Sequence, residues 1–184
     1  MAKEKVVYWL DTSEKIIAVN TSWDHFAREN DGEDFMESQV LGKSIWSFIS
    51  GDPTRMWLDT LIAYTRISGK SVTREYRCDS PETKRFMEMS ILPESDKQIR
   101  LTHRVLKEEE MSPPVSFQAA KDRLSSLCFR CSICNRVQIQ GQWQEADIAA
   151  SGGLLSTASA TRVVYRVCES CRDNISAYRR GAGA

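Results

Sequence analysis

No apolar run in the sequence approaches the ~20 residues that a membrane-spanning helix requires. A signal-peptide core is missing as well, because the run Val6-Val7-Tyr8-Trp9-Leu10 breaks at Asp11. There is no phosphate-binding P-loop, no G-x-S-x-G elbow, no kinase signature and no carboxylate pair in a pocket-like setting. The chain is therefore not expected to be an enzyme. An excess of one charge is absent too: 25 Lys and Arg balance 25 Asp and Glu. The charge is unevenly spread along the chain, but too weakly to claim nucleic-acid binding, which normally shows a clear basic stripe. A soluble cytoplasmic protein without a membrane partner is the expectation, its six cysteines lying in a reducing compartment.

Those cysteines are what the sequence does have. Cys131-Ser-Ile-Cys134 and Cys168-Glu-Ser-Cys171 are two C-x2-C pairs with 33 residues between them. A tight turn lets both sulfurs of a pair face one point, and a second turn completes a tetrahedron, the arrangement Zn²⁺ favours. One structural zinc on Cys131, Cys134, Cys168 and Cys171 is the expected cofactor. Four thiolates would leave no open position for a water nucleophile, which argues against hydrolysis. The insert is longer than zinc-finger spacing and must form structure of its own.

Other uses of the thiols fit less well. A redox pair would need a βαβ context that is missing. Cys128-Phe-Arg-Cys131-Ser-Ile-Cys134 has iron–sulfur spacing, but Asn135 follows and the fourth ligand and proline are absent. Cys128 could replace Cys131 or Cys134 as a ligand or stay a free thiol, and spacing leaves that open.

The pattern along the chain predicts an α+β protein. Strands are read at Val6–Leu10 and Ile16–Val19, and an Asn20-Thr21-Ser22 cap leads into a helix at Trp23. An acidic solvent loop is read over Glu29 to Glu37, then a short helix before Gly51. Asp52-Pro53 opens the longest helix, with Trp57, Leu58, Leu61, Ile62, Tyr64 and Ile67 on its apolar stripe and Gly69 at its end. Three alternating strands follow, the last with Ile99, Leu101, His103 and Val105 on one face. Glu108-Glu109-Glu110 and Pro113-Pro114 mark a linker, and Gln118 to Leu127 reads as a short helix.

The order ββ, helices, βββ over residues 5–107, with Asp11 to Trp23 and Leu41-Gly42-Lys43-Ser44, resembles the PAS domain of signalling proteins. The resemblance implies a five-stranded antiparallel sheet with helices on one face, and a sensory or protein-interaction role with a cavity for an unknown ligand. Cys131 to Val137, Gly141-Gln-Trp143 and Val167 to Cys171 are similar to a small zinc-ribbon-like cysteine module that follows PAS and receiver domains in bacterial signalling proteins. Where that module has His and Gly before its last pair, this chain has Tyr165-Arg166-Val167.

The expected division is a PAS-like domain at 1–107, a linker and short helix at 108–127, and a zinc module at 128–184. A protein partner in a signalling pathway and a homodimer through the PAS-like domain are the expected associations. Nucleic-acid binding is allowed but not favoured, since residues 111–184 carry only 9 basic against 5 acidic side chains. A thiol redox switch is the further alternative. Among single residues, His103 could ligate a cofactor in the cavity or be a hydrogen-bonded core histidine, and His25 is expected to be exposed. Cys78 reads as a buried small apolar residue, and Trp9, Trp23, Trp46 and Trp57 as core area. Arg172, Arg179 and Arg180 could touch phosphate.

Overall fold

The computed structural model describes residues 5–29, 32–49, 51–120 and 128–174. In chain order the elements are β1 (Val6–Leu10), β2 (Ile16–Val19), α1 (Trp23–Glu29), α2 (Glu37–Val40), α3 (Asp52–Ser68), β3 (Val72–Arg77), β4 (Thr83–Pro93) and β5 (Ile99–Glu110). They continue with β6 (Phe117–Ala119), β7 (Cys128–Cys131), β8 (Val137–Ile139), β9 (Gln142–Gln144), α4 (Ala146–Ser151) and β10 (Thr161–Arg166). The fold is α+β with two five-stranded sheets, ordered β2-β1-β5-β4-β3 and β6-β10-β7-β8-β9. Two compact units result: one holds the residues up to Tyr76 with Phe86–Lys107, the other Arg77–Arg85 with the residues from Glu108 on.

In the first unit the strands alternate as the sequence pattern requires. Tyr8, Leu10, Met89, Ile91, Ile99 and Leu101 face one way and form a single cluster with Leu58, Leu61 and Ile62 of α3. The buried stripe of α3 is Leu58, Leu61, Ile62 and Thr65, spaced i, i+3, i+4, i+7. Ile67, assigned to that stripe above, is instead 87 % exposed. At i+9 from Leu58 it lies about 180° round the helix. Gly69 ends the helix in the left-handed region at φ 65°, where glycine carries no Cβ penalty.

The acidic segment after α1 is more ordered than a solvent loop. A 3-10 turn at Glu33–Phe35 and then α2 occupy it. Trp23 Nε1 donates to the Phe35 carbonyl at 2.6 Å, and Asp24 accepts from the Glu37 N–H at 2.7 Å. Two α1 side chains thus satisfy backbone groups that the acidic composition does not reveal.

In the second unit β10 runs parallel to both β6 and β7, whereas β8 and β9 extend the sheet antiparallel. The β8–β9 connection is Gln140-Gly141, both at positive φ (51° and 82°), the two-residue hairpin geometry that matches strand twist. Met111, Val115, Ala146 and Ala150 form a buried cluster beside Phe117 and Leu155. Residues read as linker therefore belong to this unit's core. β5 continues through Glu110 with its acidic side chains largely outward, and the Met111 and Val115 N–H groups donate to the carbonyls of Glu82 and Pro81 at 2.8 and 3.0 Å. Gln118 and Ala119, read as the start of a helix, belong instead to β6 (Phe117–Ala119), and residues 121–127 lie outside the described residues.

The 77–85 hairpin is held by buried charge. Arg77 makes a two-bond fork to Asp79, both contacts 2.8 Å, and reaches Glu145 at 3.2 Å. Arg130 lies 3.7 Å from the same Asp79 carboxylate, and Lys84 pairs with Asp147 at 2.6 Å. The Asp79 side chain is 2 % exposed and that of Arg77 7 %. The carboxylates hold the Arg77 guanidinium above its ordinary range against the desolvation that lowers it. Removing one partner of such a pair costs about 3–5 kcal/mol, because the other charge stays buried. Asp79→Ala is therefore expected to lower hydrogen-exchange protection of β7, β8 and β10 by roughly a hundredfold or more. Unchanged protection in those strands would contradict the clamp.

Candidate metal centre

Cys131 is the last residue of β7, and the chain turns at once into β8. The Asn135 N–H donates to the Cys131 carbonyl at 3.1 Å, and the Cys131 N–H to the Arg136 carbonyl at 2.8 Å. Asn135 sits at φ 59°, a left-handed conformation that asparagine tolerates better than most residues. This turn folds Cys134 back toward Cys131.

The parallel register of β10 on β7 pairs Arg166 with Cys131, and the Ser132 N–H donates to the Arg166 carbonyl at 3.0 Å. Cys168 follows two residues later, and its N–H points at the Cys131 sulfur at 3.5 Å. From Glu169 the chain is helical, with the Arg172 N–H bonded to the Cys168 carbonyl at 3.0 Å, which brings Cys171 round one turn.

All four sulfurs lie within 4.8 Å of one another. The Cys134 and Cys168 sulfurs are 3.7 Å apart, and every cysteine is a free thiol. Cys131 and Cys168 are buried, whereas Cys134 and Cys171 are half-buried. Besides the Cys168 N–H, the Cys131 sulfur accepts the Ile133 N–H at 3.4 Å. Hydrogen bonds from the Cys134 and Cys171 side chains, aided by the backbone N–H groups of Cys134 and Cys168, hold the Cys131 thiol far below its ordinary range against the burial that raises it. Cys134 and Cys171 are pushed up chiefly because they donate to Cys131. A central cation would let these packed thiols ionise together. These four cysteines can hold a metal ion.

Cys128 is not in the cluster. Its sulfur lies against the carbonyls of Phe129 and Gln138 at 3.6 and 3.8 Å, and burial pushes its thiol up. Cys78 is exposed, not buried as read from its strand parity. The parity breaks at Arg77, which is buried in the second unit and donates its N–H to the Ile133 carbonyl at 2.8 Å. The neighbouring side chain must then point outward.

His103 is a hydrogen-bonded half-buried residue of the first unit. Its Nδ1 lies 2.8 Å from the Tyr76 hydroxyl, its ring is stacked on Tyr8 at 5.6 Å, and burial lowers its pKa to about 4. His25 is exposed beside Glu29 at 3.3 Å. Trp23, Trp46 and Trp57 pack against the first core. Arg172 is exposed, and Arg179 and Arg180 lie outside the described residues.

No family profile and no curated protein matches the chain. A domain of an HTR-like protein from Haloarcula marismortui is a structural neighbour at TM-score 0.42 and 14 % identity, covering 56 % of this chain and 98 % of that one. That likeness is too slight to assign a fold family or a function. Among the described residues, no helix is long and apolar enough to cross a membrane.

The depressed His103 pKa gives a pH dependence of definite sign. Unfolded histidine titrates near 6.5, so the stability linked to neutral His103 is complete above that pH and is lost as pH falls through about 4. Between these limits the slope is roughly 1.4 kcal/mol per pH unit. His103→Gln is expected to flatten the difference between urea midpoints at pH 6.5 and 4.5. A variant with the wild-type slope would show that another group titrates.

Proposed function

We propose that the chain is an intracellular signal-sensing and protein-interaction protein. In this reading the first unit is a PAS-like domain, and the second is a structural zinc module that contacts an output partner on another chain. The observation that carries the proposal is the four-sulfur cluster. A tetrahedral ion with Zn–S bonds of about 2.3 Å has sulfur–sulfur edges of about 3.8 Å. The 3.7 Å separation of Cys134 and Cys168 sits at that edge. The two N–H groups on Cys131 supply the hydrogen bonding that orients a metal-bound thiolate. Cys131, Cys134, Cys168 and Cys171 would hold the ion with no position left for substrate, so the module would fix shape and perform no catalysis.

Size supports a structural role. The second unit's apolar cluster contains two alanines among its four buried members, a thin core for which zinc binding would add about 10–16 kcal/mol. The PAS-like reading is supported by the element order and by the packing of α3 on one face of the first sheet. A neutral His103 already bonded to Tyr76 speaks for a core histidine and against a haem ligand.

A thiol redox switch is the second reading, favoured by the half-exposure of Cys134 and Cys171 and by the close Cys134–Cys168 pair. One hydrogen peroxide, with two protons from solvent, would oxidise two thiolates to a disulfide and leave as two waters, releasing the metal.

Protein purified without added metal is expected to contain one zinc per chain and no visible absorption band. Cys131→Ser should lose that zinc to a chelator the wild type resists, and Cys128→Ser should keep it. A Soret, flavin or iron–sulfur spectrum would refute the structural-zinc reading. Zinc release by stoichiometric peroxide would select the switch.

A further inference from the structure

One face of the second sheet carries a row of side chains beyond Cys131, which its register with Arg166 places at the end of the same face. Register places Trp143 opposite Gln138, Gln138 opposite Phe129 and Phe129 opposite Val164, a row on one face. Alternation along β10 puts Arg162 and Arg166 on the same face. The other face carries Val137 and Val163, both fully buried. The outer row is half-exposed, and Arg162 is exposed.

Contacts within the row hold it in place. The Arg166 guanidinium lies 4.5 Å from the Phe129 ring centre and 5.1 Å from that of Trp143. Trp143 Nε1 donates to Glu169 at 2.7 Å, and Glu169 stands 3.5 Å from Arg166. Arg162 has no ion pair among the described residues. The row thus carries two guanidiniums, of which Arg166 alone is paired with Glu169, a carboxylate it shares with the Trp143 indole.

Tryptophan, phenylalanine and arginine side by side on one patch match the residue types enriched in protein-recognition centres. Base stacking fits less well, because the chain's own guanidinium already lies over both rings and no lysine lies on the row. Arg162 and Arg166 are four residues apart on one strand, about 13 Å. An extended peptide repeats that distance between its own residues i and i+4.

We propose that this face docks an extended acidic segment of a partner protein. Two carboxylates four residues apart would meet Arg162 and Arg166, and an apolar side chain midway would cover Val164 and Phe129. The inference rests on the partner-contacting reading of the metal module and specifies the partner's chemistry.

The test is selection of a random 12-residue peptide library on the metal-loaded full chain, with Arg162→Glu as the counter-selected control. Enriched peptides should carry Asp or Glu at i and i+4 around an apolar residue. They should bind at least about tenfold more weakly to Arg162→Glu and to Trp143→Ala. Four outcomes would overturn the proposal: no enrichment, enrichment without that acidic spacing, affinity unchanged in both variants, or tighter binding of a 20-nucleotide oligouridine. Concentration-dependent dimerisation abolished by Arg162→Glu would also overturn it, by assigning the face to a second copy. Metal content measured on the same samples separates the two claims: lost docking with the metal retained removes only the docking face.

Discussion

The second unit depends on the parallel pairing of β10 with β7. Parallel neighbours cannot be joined by a tight turn and need a crossover of a dozen residues or more. Residues 132–160 between β7 and β10 are that crossover, and they carry β8, β9 and α4. The register, Arg166 opposite Cys131, then sets where Cys168 falls and which N–H groups reach the Cys131 sulfur. A slip of one residue would turn the β10 side chains over and send Val163 to the outer face. Metal centre and sheet register therefore support each other: the pairing assembles the sulfurs, and a bound cation would hold the pairing.

A second constraint acts on the hairpin at 77–85. Asp79 is shared by Arg77 and Arg130, and Glu145 by Arg77 and Arg136. Buried pairs of this sort contribute modestly to net stability but penalise any arrangement that leaves one charge alone. They specify which strand end packs beside the first cysteine turn. The Arg77 N–H bonded to the Ile133 carbonyl fixes that end to the backbone between Cys131 and Cys134.

Much of the first unit was legible because its strands and long helix obey simple periods. Leu58, Leu61 and Ile62 lie three and four apart, and Met87, Met89 and Ile91 alternate inward. The four clustered cysteines were legible because two C-x2-C pairs leave few geometric choices. What stayed hidden depends on long-range pairing. Glu108 to Val115 reads as linker by composition, yet its backbone finds partners at Pro81 and Glu82. Arg77 and Lys84 have the parity of outward residues on β3 and β4, and both are buried because their carboxylate partners come from residues 79, 145 and 147. No local pattern encodes such pairings, nor that β10 lies parallel to β7 and so places Trp143, Arg166 and Phe129 side by side.

X-ray absorption at the zinc edge, on protein purified without added metal, tests the metal centre most directly. The expected first shell is four sulfurs at about 2.3 Å with no lighter scatterer. A shell containing nitrogen or oxygen at about 2.0–2.2 Å, or fewer than four sulfurs, would contradict a site built by Cys131, Cys134, Cys168 and Cys171.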